Sequence, residues 1–182
     1  TDQGIKIAVE ERNAAGGIKG RKIKLITEDT ASDAAQGGTA VTKLITQHKA
    51  VAILGEVASS ISLAGGDVAQ KLGVPMVTPS STNPKLTQLG YKTTFRLLAN
   101  DNALGAGLAL HAANNLKLKK VAIIDDRTAY GQGVAEVFKK TALAKGIQVV
   151  DEQYTNDKAV DFMAILTAIK GKAPDGIFYG GM

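Results

Sequence analysis

Apolar residues along this chain fall into short runs separated by helical stripes. Lys22-Ile23-Lys24-Leu25-Ile26 alternates polar and apolar positions and predicts a half-exposed strand. Residues 51–54 (Val-Ala-Ile-Leu) and 74–77 (Val-Pro-Met-Val) are unbroken runs of the kind that parallel strands buried on both faces require. A further strand is predicted over 93–97. In the second half, strands are predicted at 121–124, 147–150 and 177–179. Their starts at 121, 147 and 177 are separated by 26 and 30 residues, the length of one strand-plus-helix unit.

Helical spacing fills the intervals. Ile5, Ala8 and Val9 open the chain on a helical pattern, which Gly16-Gly17-Ile18-Lys19-Gly20 stops with a turn. Val41, Leu44 and Ile45 mark one helix face, Val134, Val137, Phe138 and Thr141 a second, and Phe162, Ile165, Leu166 and Ile169 a third. Residues 61–72 read as another helix. This alternation predicts an α/β protein with parallel sheets. The polar stretch Leu98-Ala99-Asn100-Asp101-Asn102 lies between two such blocks, so the expected division is a first lobe over 1–98 and a hinge crossing with a second lobe over 99–182. A helix with no strand before it, and an end at Gly180-Gly181-Met182 where a turn should lead into another helix, predict that both lobes are partial.

Composition narrows the function classes. With 45% apolar and 21% charged residues, the 182-residue chain has an ordinary globular balance. No apolar run approaches the ~18–20 residues of a membrane span, and no cleavable leader opens the chain, so an exported protein would already have lost it. The absence of cysteine excludes disulfides and thiolate chemistry. The net charge of +5 is dispersed, with Lys119-Lys120 and Lys139-Lys140 the longest basic pairs and aromatics at 4%, so no nucleic-acid partner is expected. No phosphate loop, nucleophile elbow, zinc-binding helix or dinucleotide fingerprint is present, so no catalytic residue and no cofactor are assigned. His48 and His111 sit on separate helical patterns and read as packing or capping residues, so no metal is expected.

Candidate chemistry lies at the carboxyl ends of the strands, where open parallel sheets bind ligands. Gly55-Glu56-Val57-Ala58-Ser59-Ser60 follows the strand at 51–54. Its two serines either cap the next helix or, with free backbone N–H groups, hold an anion. Thr78-Pro79-Ser80-Ser81-Thr82-Asn83-Pro84 follows the next strand, with three hydroxyl residues between two conformation-fixing prolines. It reads as an aimed polar loop or as a turn bonded to its own backbone. Asp125-Asp126 ends the strand at 121–124 and raises a receiver-type metal pair, but no matching phosphoacceptor Asp closes a later strand. Tyr130 stands at the following helix start, either in a cleft or on a lobe surface, and Gly180-Gly181-Met182 permits close approach of a ligand to the backbone.

In order, Ala14-Ala15-Gly16-Gly17-Ile18-Lys19-Gly20, Gly55 to Ser60, Pro79-Ser80-Ser81-Thr82-Asn83-Pro84-Lys85-Leu86-Thr87, Phe95-Arg96, Ile124 to Gly133, Asp161-Phe162 and Tyr179-Gly180-Gly181 resemble the Leu/Ile/Val-binding proteins, the branched-chain amino acid substrate-binding proteins of ABC transporters. The resemblance covers nearly the whole chain. It implies two Rossmann-like parallel-sheet lobes of the type I periplasmic binding protein fold, closing on a free branched-chain or other neutral amino acid. The location implied is periplasmic, or lipid-anchored outside a Gram-positive cell, and the protein partner is a membrane permease. Ser59, with Ser60 beside it, and Thr82 are implied to meet the ligand α-carboxylate, and the backbone at Ser80 and neighbouring Ser81 the ammonium or carboxylate. Tyr130 is implied to reach in from the second lobe. Met182 stands where Leu/Ile/Val binders carry a tyrosine, and the acid that balances the ammonium is implied to lie beyond residue 182. The family's first strand, expected between 22–26 and 51–54, and the C-terminal portion of both lobes are absent from these 182 residues, which makes self-association a further expectation. An amide-sensing regulatory domain and an α/β enzyme are the competing readings.

Overall fold

The computed structural model describes residues 1–182. In chain order the elements are helix α1 (Asp2–Ala14), helix α2 (Ala34–Thr46), strand β1 (Ile53–Leu54), helix α3 (Ser59–Lys71), strand β2 (Met76–Thr78), a 3-10 turn (Pro84–Thr87) and strand β3 (Thr94–Arg96). Helix α4 (Asp101–Asn114), strand β4 (Lys120–Asp125), helix α5 (Ala129–Ala144), strand β5 (Gln148–Tyr154), helix α6 (Met163–Lys170) and strand β6 (Gly176–Gly180) follow. The chain forms two compact units: Thr1–Ser81 with Leu86–Leu98, and Thr82–Lys85 with Ala99–Met182. Each carries a three-stranded, all-parallel sheet, so the α/β class with parallel sheets is the observed architecture.

The first unit orders its strands β1-β2-β3. Its core gathers Val41 of α2, Ile53, Ala69 of α3 and Met76, with Leu44, Ile45 and Val68 packed around them. Helices α2 and α3 pack closely because glycine stands where they meet. A Cβ on Gly65 would lie 2.9 Å from Val41 Cγ2, and one on Gly37 would lie 2.7 Å from the Ile61 carbonyl oxygen. Helix α1 forms as its spacing predicts, yet buries none of its residues.

Two expected strands change. Residues 22–26 form no strand, although their alternation predicts one. A strand needs a neighbour for its N–H and C=O groups. Here the segment is anchored by a side chain instead: Asn13 donates from Nδ2 to the Ile23 carbonyl at 2.9 Å, and its Oδ1 accepts from the Ile23 N–H at 2.7 Å. A groove of ≈ 410 Å³, lined by Ile5, Leu25, Ile26, Val41 and Leu44, runs between this segment and β1. The expected strand at 51–54 contracts to Ile53–Leu54, with Val51 84% exposed: its one partner is the three-residue β2, and the ladder runs only from Ile53↔Met76 to Leu54↔Val77.

The second unit orders its strands β5-β4-β6. Strand β4 is central, and its apolar run is covered on both faces. Val121 and Ile123 pack against Ala109, Ala112, Ala135, Phe138 and Ala142 of α4 and α5, while Ala122 and Ile124 pack against Ile169 of α6. Phe138 stacks on Phe178 of β6, ring centroids 3.9 Å apart. At the start of β4, the Asp175 carboxylate accepts from the Lys119 and Lys120 N–H groups, both at 2.8 Å. Strand β5 runs to Tyr154, four residues beyond its expected end, because β4 pairs with it as far as Asp125↔Tyr154. No helix is long and apolar enough to cross a membrane.

Candidate functional site

In the first unit, β1 and β2 deliver two turns to one end of the sheet. The turn after β1 leads into α3, whose N-cap position is Ala58, not Ser59 or Ser60; Ser59 is the first helical residue. An alanine has no side-chain acceptor, so the cap hydrogen bond expected from a serine is not made. The first-turn N–H groups and the positive end of the helix dipole therefore favour an anionic group at this end. Ser59 is buried and Ser60 half-buried.

The turn after β2 is tied to the first by hydroxyl groups. Thr78 Oγ1 donates to the Glu56 carbonyl at 2.7 Å and accepts from the Ser80 and Ser81 N–H groups at 3.2 and 3.0 Å. Ser81 Oγ lies 2.6 Å from Ser62 Oγ, 3.1 Å from the Glu56 carbonyl oxygen and 3.2 Å from that of Val57. Ser80 stays half-buried at the edge of this network. Burial pushes the Glu56 carboxyl above the usual glutamate range, with the Asp29 charge adding to the rise against the hydrogen bond from Thr30.

In the second unit the strand order reverses direction at β4, and Asp126, 2% exposed, follows the carboxyl end of β4 beside that of β6. Both of its oxygens are engaged. Oδ1 accepts from the Thr128 N–H at 3.0 Å and from Thr128 Oγ1 at 2.6 Å, and Oδ2 accepts from the Met182 N–H at 3.0 Å. Thr128 in turn caps α5, accepting from the Gly131 N–H at 2.9 Å. Gly131 is required here, since a Cβ would overlap Asp126 Oδ1 and the Gly180 carbonyl oxygen. Tyr130 is half-buried on the first turn of α5, and burial, followed by the negative Asp101 and Asp126, raises its phenol above the usual tyrosine value.

Thr82 groups with this second unit although Ser81 groups with the first. Its carbonyl accepts from the Asp101 N–H at 2.9 Å. Asn83, which follows, donates from Nδ2 to the Ala129 carbonyl and accepts from the Lys85 N–H at 2.9 Å.

Of the residues singled out in the sequence, Ser59, Ser60, Ser80 and Ser81 thus belong to the first unit, and Thr82, Tyr130 and Met182 to the second. The acid pair separates by role. Asp126 braces the turn that carries Tyr130 and the Met182 backbone, while Asp125 Oδ1 accepts from the Arg127 N–H at 2.9 Å. Neither histidine packs in a core: His111 is exposed, and His48 Nε2 lies 3.5 Å from Glu28 Oε1 at the surface. Sequence reasoning passed over Ser62 and gave Thr78 and Asn83, quoted within the polar loop, no separate role. The available signal for Ser62 was a small polar residue on the buried stripe of α3, which must find a partner there.

The family model described as "Periplasmic binding protein" matches residues 1–182. A Leu/Ile/Val-binding protein of Rhizobium johnstonii, BraC3, is 38% identical over 180 residues, 98% of this chain and 48% of its own. The leucine-binding protein LivK of Thermotoga maritima superposes with a TM-score of 0.90 at 36% identity, over 96% of this chain and 49% of that one. The branched-chain amino acid transporter substrate-binding protein LivJ of Streptococcus pneumoniae, solved in complex with isoleucine, superposes with a TM-score of 0.87 at 33% identity, over 97% and 50%. The chain spans about half the length of the curated relatives it matches.

Proposed function

The chain belongs to the periplasmic binding protein family, and from that premise we propose that it is part of an extracytoplasmic solute-binding protein that captures a free branched-chain or other neutral amino acid for an ABC transporter permease. It releases its ligand unchanged, and we assign it no catalytic residue. The start of α3 carries this reading: a helix N-terminus capped by alanine at the end of a parallel strand, with a hydroxyl-rich turn tied to it. Such an end suits a carboxylate, which the Ser59 hydroxyl and first-turn N–H groups meet with charge-assisted hydrogen bonds. We assign the Ser60 N–H to the same carboxylate and the Ser80–Ser81 backbone to the ammonium group. Thr82, Tyr130 and Met182 are assigned to the same ligand on the strength of the resemblance alone. The two units are taken as the partial lobes expected at 1–98 and 99–182, except that Thr82–Lys85 group with the second. The preference for an aliphatic side chain is carried over from the relatives, whose names and bound isoleucine specify it for them.

A thermal-shift screen over the twenty amino acids tests the proposal. A ligand that binds only the native state at a hundred times its Kd stabilises by about 2.7 kcal/mol, so leucine, isoleucine or valine should raise the melting temperature by several degrees. Ser59→Ala should weaken binding about tenfold or more, the loss of one hydrogen bond to a charged group. A screen in which no amino acid shifts the melting temperature would overturn the assignment.

A further inference from the structure

We propose that Ser62, Thr78 and Ser81 are positioning residues: their side chains form a buried hydroxyl clasp that sets the distance and orientation of the two turns of the first unit and does not itself touch the ligand. The inference rests on the function proposed above for its effect on binding, and on the geometry alone for its effect on the turns. The three residues are 0%, 0% and 1% exposed, and they come from three separate elements of the chain, α3, the end of β2 and the turn after it. All of them converge on the backbone of Glu56 and Val57, the segment that leads into α3.

Each hydroxyl carries one proton, and every acceptor within reach of these protons belongs to the clasp or to the Glu56–Val57 backbone. The Glu56 N–H donates to Ser62 Oγ at 3.3 Å; then either Ser62 donates to Ser81 Oγ at 2.6 Å and Ser81 to the Val57 or Glu56 carbonyl at 3.2 or 3.1 Å, or Ser81 donates to Ser62 and Ser62 to the Glu56 carbonyl at 3.5 Å. Thr78 gives its proton to the Glu56 carbonyl at 2.7 Å and takes the Ser80 and Ser81 N–H groups on its lone pairs. In either wiring every proton is used once, and the Ser81 hydroxyl has none left for a ligand. The Ser81 side chain is therefore assigned to the clasp and not to ligand contact, and any group it offers a ligand is main-chain. Because Thr78 bonds to both turns at once, the Ser80–Ser81 backbone cannot shift relative to Glu56 without giving up at least one of these hydrogen bonds. A site that must present several dipoles to a small zwitterion within hydrogen-bond tolerance depends on this kind of support.

The test pairs an isosteric deletion with a conservative rescue. Thr78→Val keeps the shape and removes the hydroxyl, leaving the Ser80 and Ser81 N–H groups without this acceptor and the Glu56 carbonyl without its shortest hydrogen bond. Thr78→Ser restores the hydroxyl. L-Leucine affinity is followed by titration calorimetry at a temperature where circular dichroism shows each variant folded. Thr78→Val should bind about tenfold more weakly, a change of ~1.4 kcal/mol, and Thr78→Ser should return affinity to within about threefold, ~0.7 kcal/mol. A folded Thr78→Val protein with wild-type affinity would refute the clasp's role in binding. Amide hydrogen exchange in ligand-free protein reads the clasp by itself: Thr78→Val should speed exchange at Ser80 and Ser81, and unchanged rates there would refute the clasp outright. Wild-type protein that binds no amino acid, yet shows the faster exchange in Thr78→Val, would overturn the proposed ligand and leave the clasp standing.

Discussion

Strands β1 and β4 follow the same sequence grammar, an apolar run ending in a turn that leads into a helix, yet they differ in what surrounds them. Strand β4 has six residues, pairs with β5 on one edge and β6 on the other, and buries Val121, Ala122, Ile123 and Ile124. Strand β1 has two residues, pairs only with β2, and leaves Leu54 half exposed. One paired edge is enough for a long strand when the partner is long, since β5 runs seven residues against β4 alone; β1 has only the three-residue β2 to pair with, and β4 adds a second partner and cover on both faces. The first unit compensates with side chains, using Asn13 to hold residue 23 and hydroxyl groups to hold the turns beyond β1 and β2.

Substitution within the two units should expose that difference most sharply. Phe138→Ala removes the ring that stacks on Phe178 at the centre of the second unit's core, and should cost ~3–5 kcal/mol in chemical denaturation. Val51→Ala, in the run predicted to be a buried strand, should change stability by no more than about 0.5 kcal/mol, since the side chain is largely in water. Equal losses from the two would erase the contrast. Hydrogen exchange gives a smaller and more local measure. Amides of β4 should exchange at least about tenfold more slowly than those of Ile53 and Gly55 in the β1 ladder, a gap of ~1.4 kcal/mol or more in opening free energy. Comparable protection would mean that the paired edges of β4 confer no extra local stability.

The same contrast explains what could be read from the sequence. The βα alternation, the helix faces around Val41, Phe138 and Ile169, and the strand at 121–124 are local or periodic signals that burial rewards directly. The run at 22–26 misled because alternation describes a face, whereas a strand needs a neighbour that no local pattern supplies. At the site, Ser59, Ser60 and the 78–84 loop were visible as hydroxyl clusters at strand ends. Their wiring was not, because Ser62 meets Ser81 across 19 residues of sequence and each looks like an ordinary turn or helix residue alone. Asp125-Asp126 raised a metal pair that the missing phosphoacceptor set aside; the spacing Asp126-x-Thr128 is the local signature of a turn that caps a helix, and the structure uses it so.

Titration offers the smallest effect and gives the comparison a sign. Glu56 in the first unit has its pKa raised, chiefly by burial, whereas Asp175 in the second has its pKa lowered, chiefly by the Lys119 and Lys120 N–H groups. For Glu56, both folded and unfolded states are protonated below the ordinary glutamate range, and ionisation costs nothing there. As pH rises the unfolded state ionises first, so stability falls until the folded-state value is passed, and the cost is complete above it. Glu56→Gln removes that cost, so the variant should melt slightly above wild type at pH 7, with the gain vanishing in acid. Asp175 runs the other way. Its contribution is complete above the ordinary aspartate value and is lost as pH falls through the lowered folded-state value, so Asp175→Asn should melt below wild type at pH 7 and converge with it in strong acid. Melting curves of the three proteins across a pH series check both signs, and a Glu56→Gln protein that is less stable than wild type at pH 7 would show that the hydrogen bond from Thr30 outweighs the burial of the carboxylate.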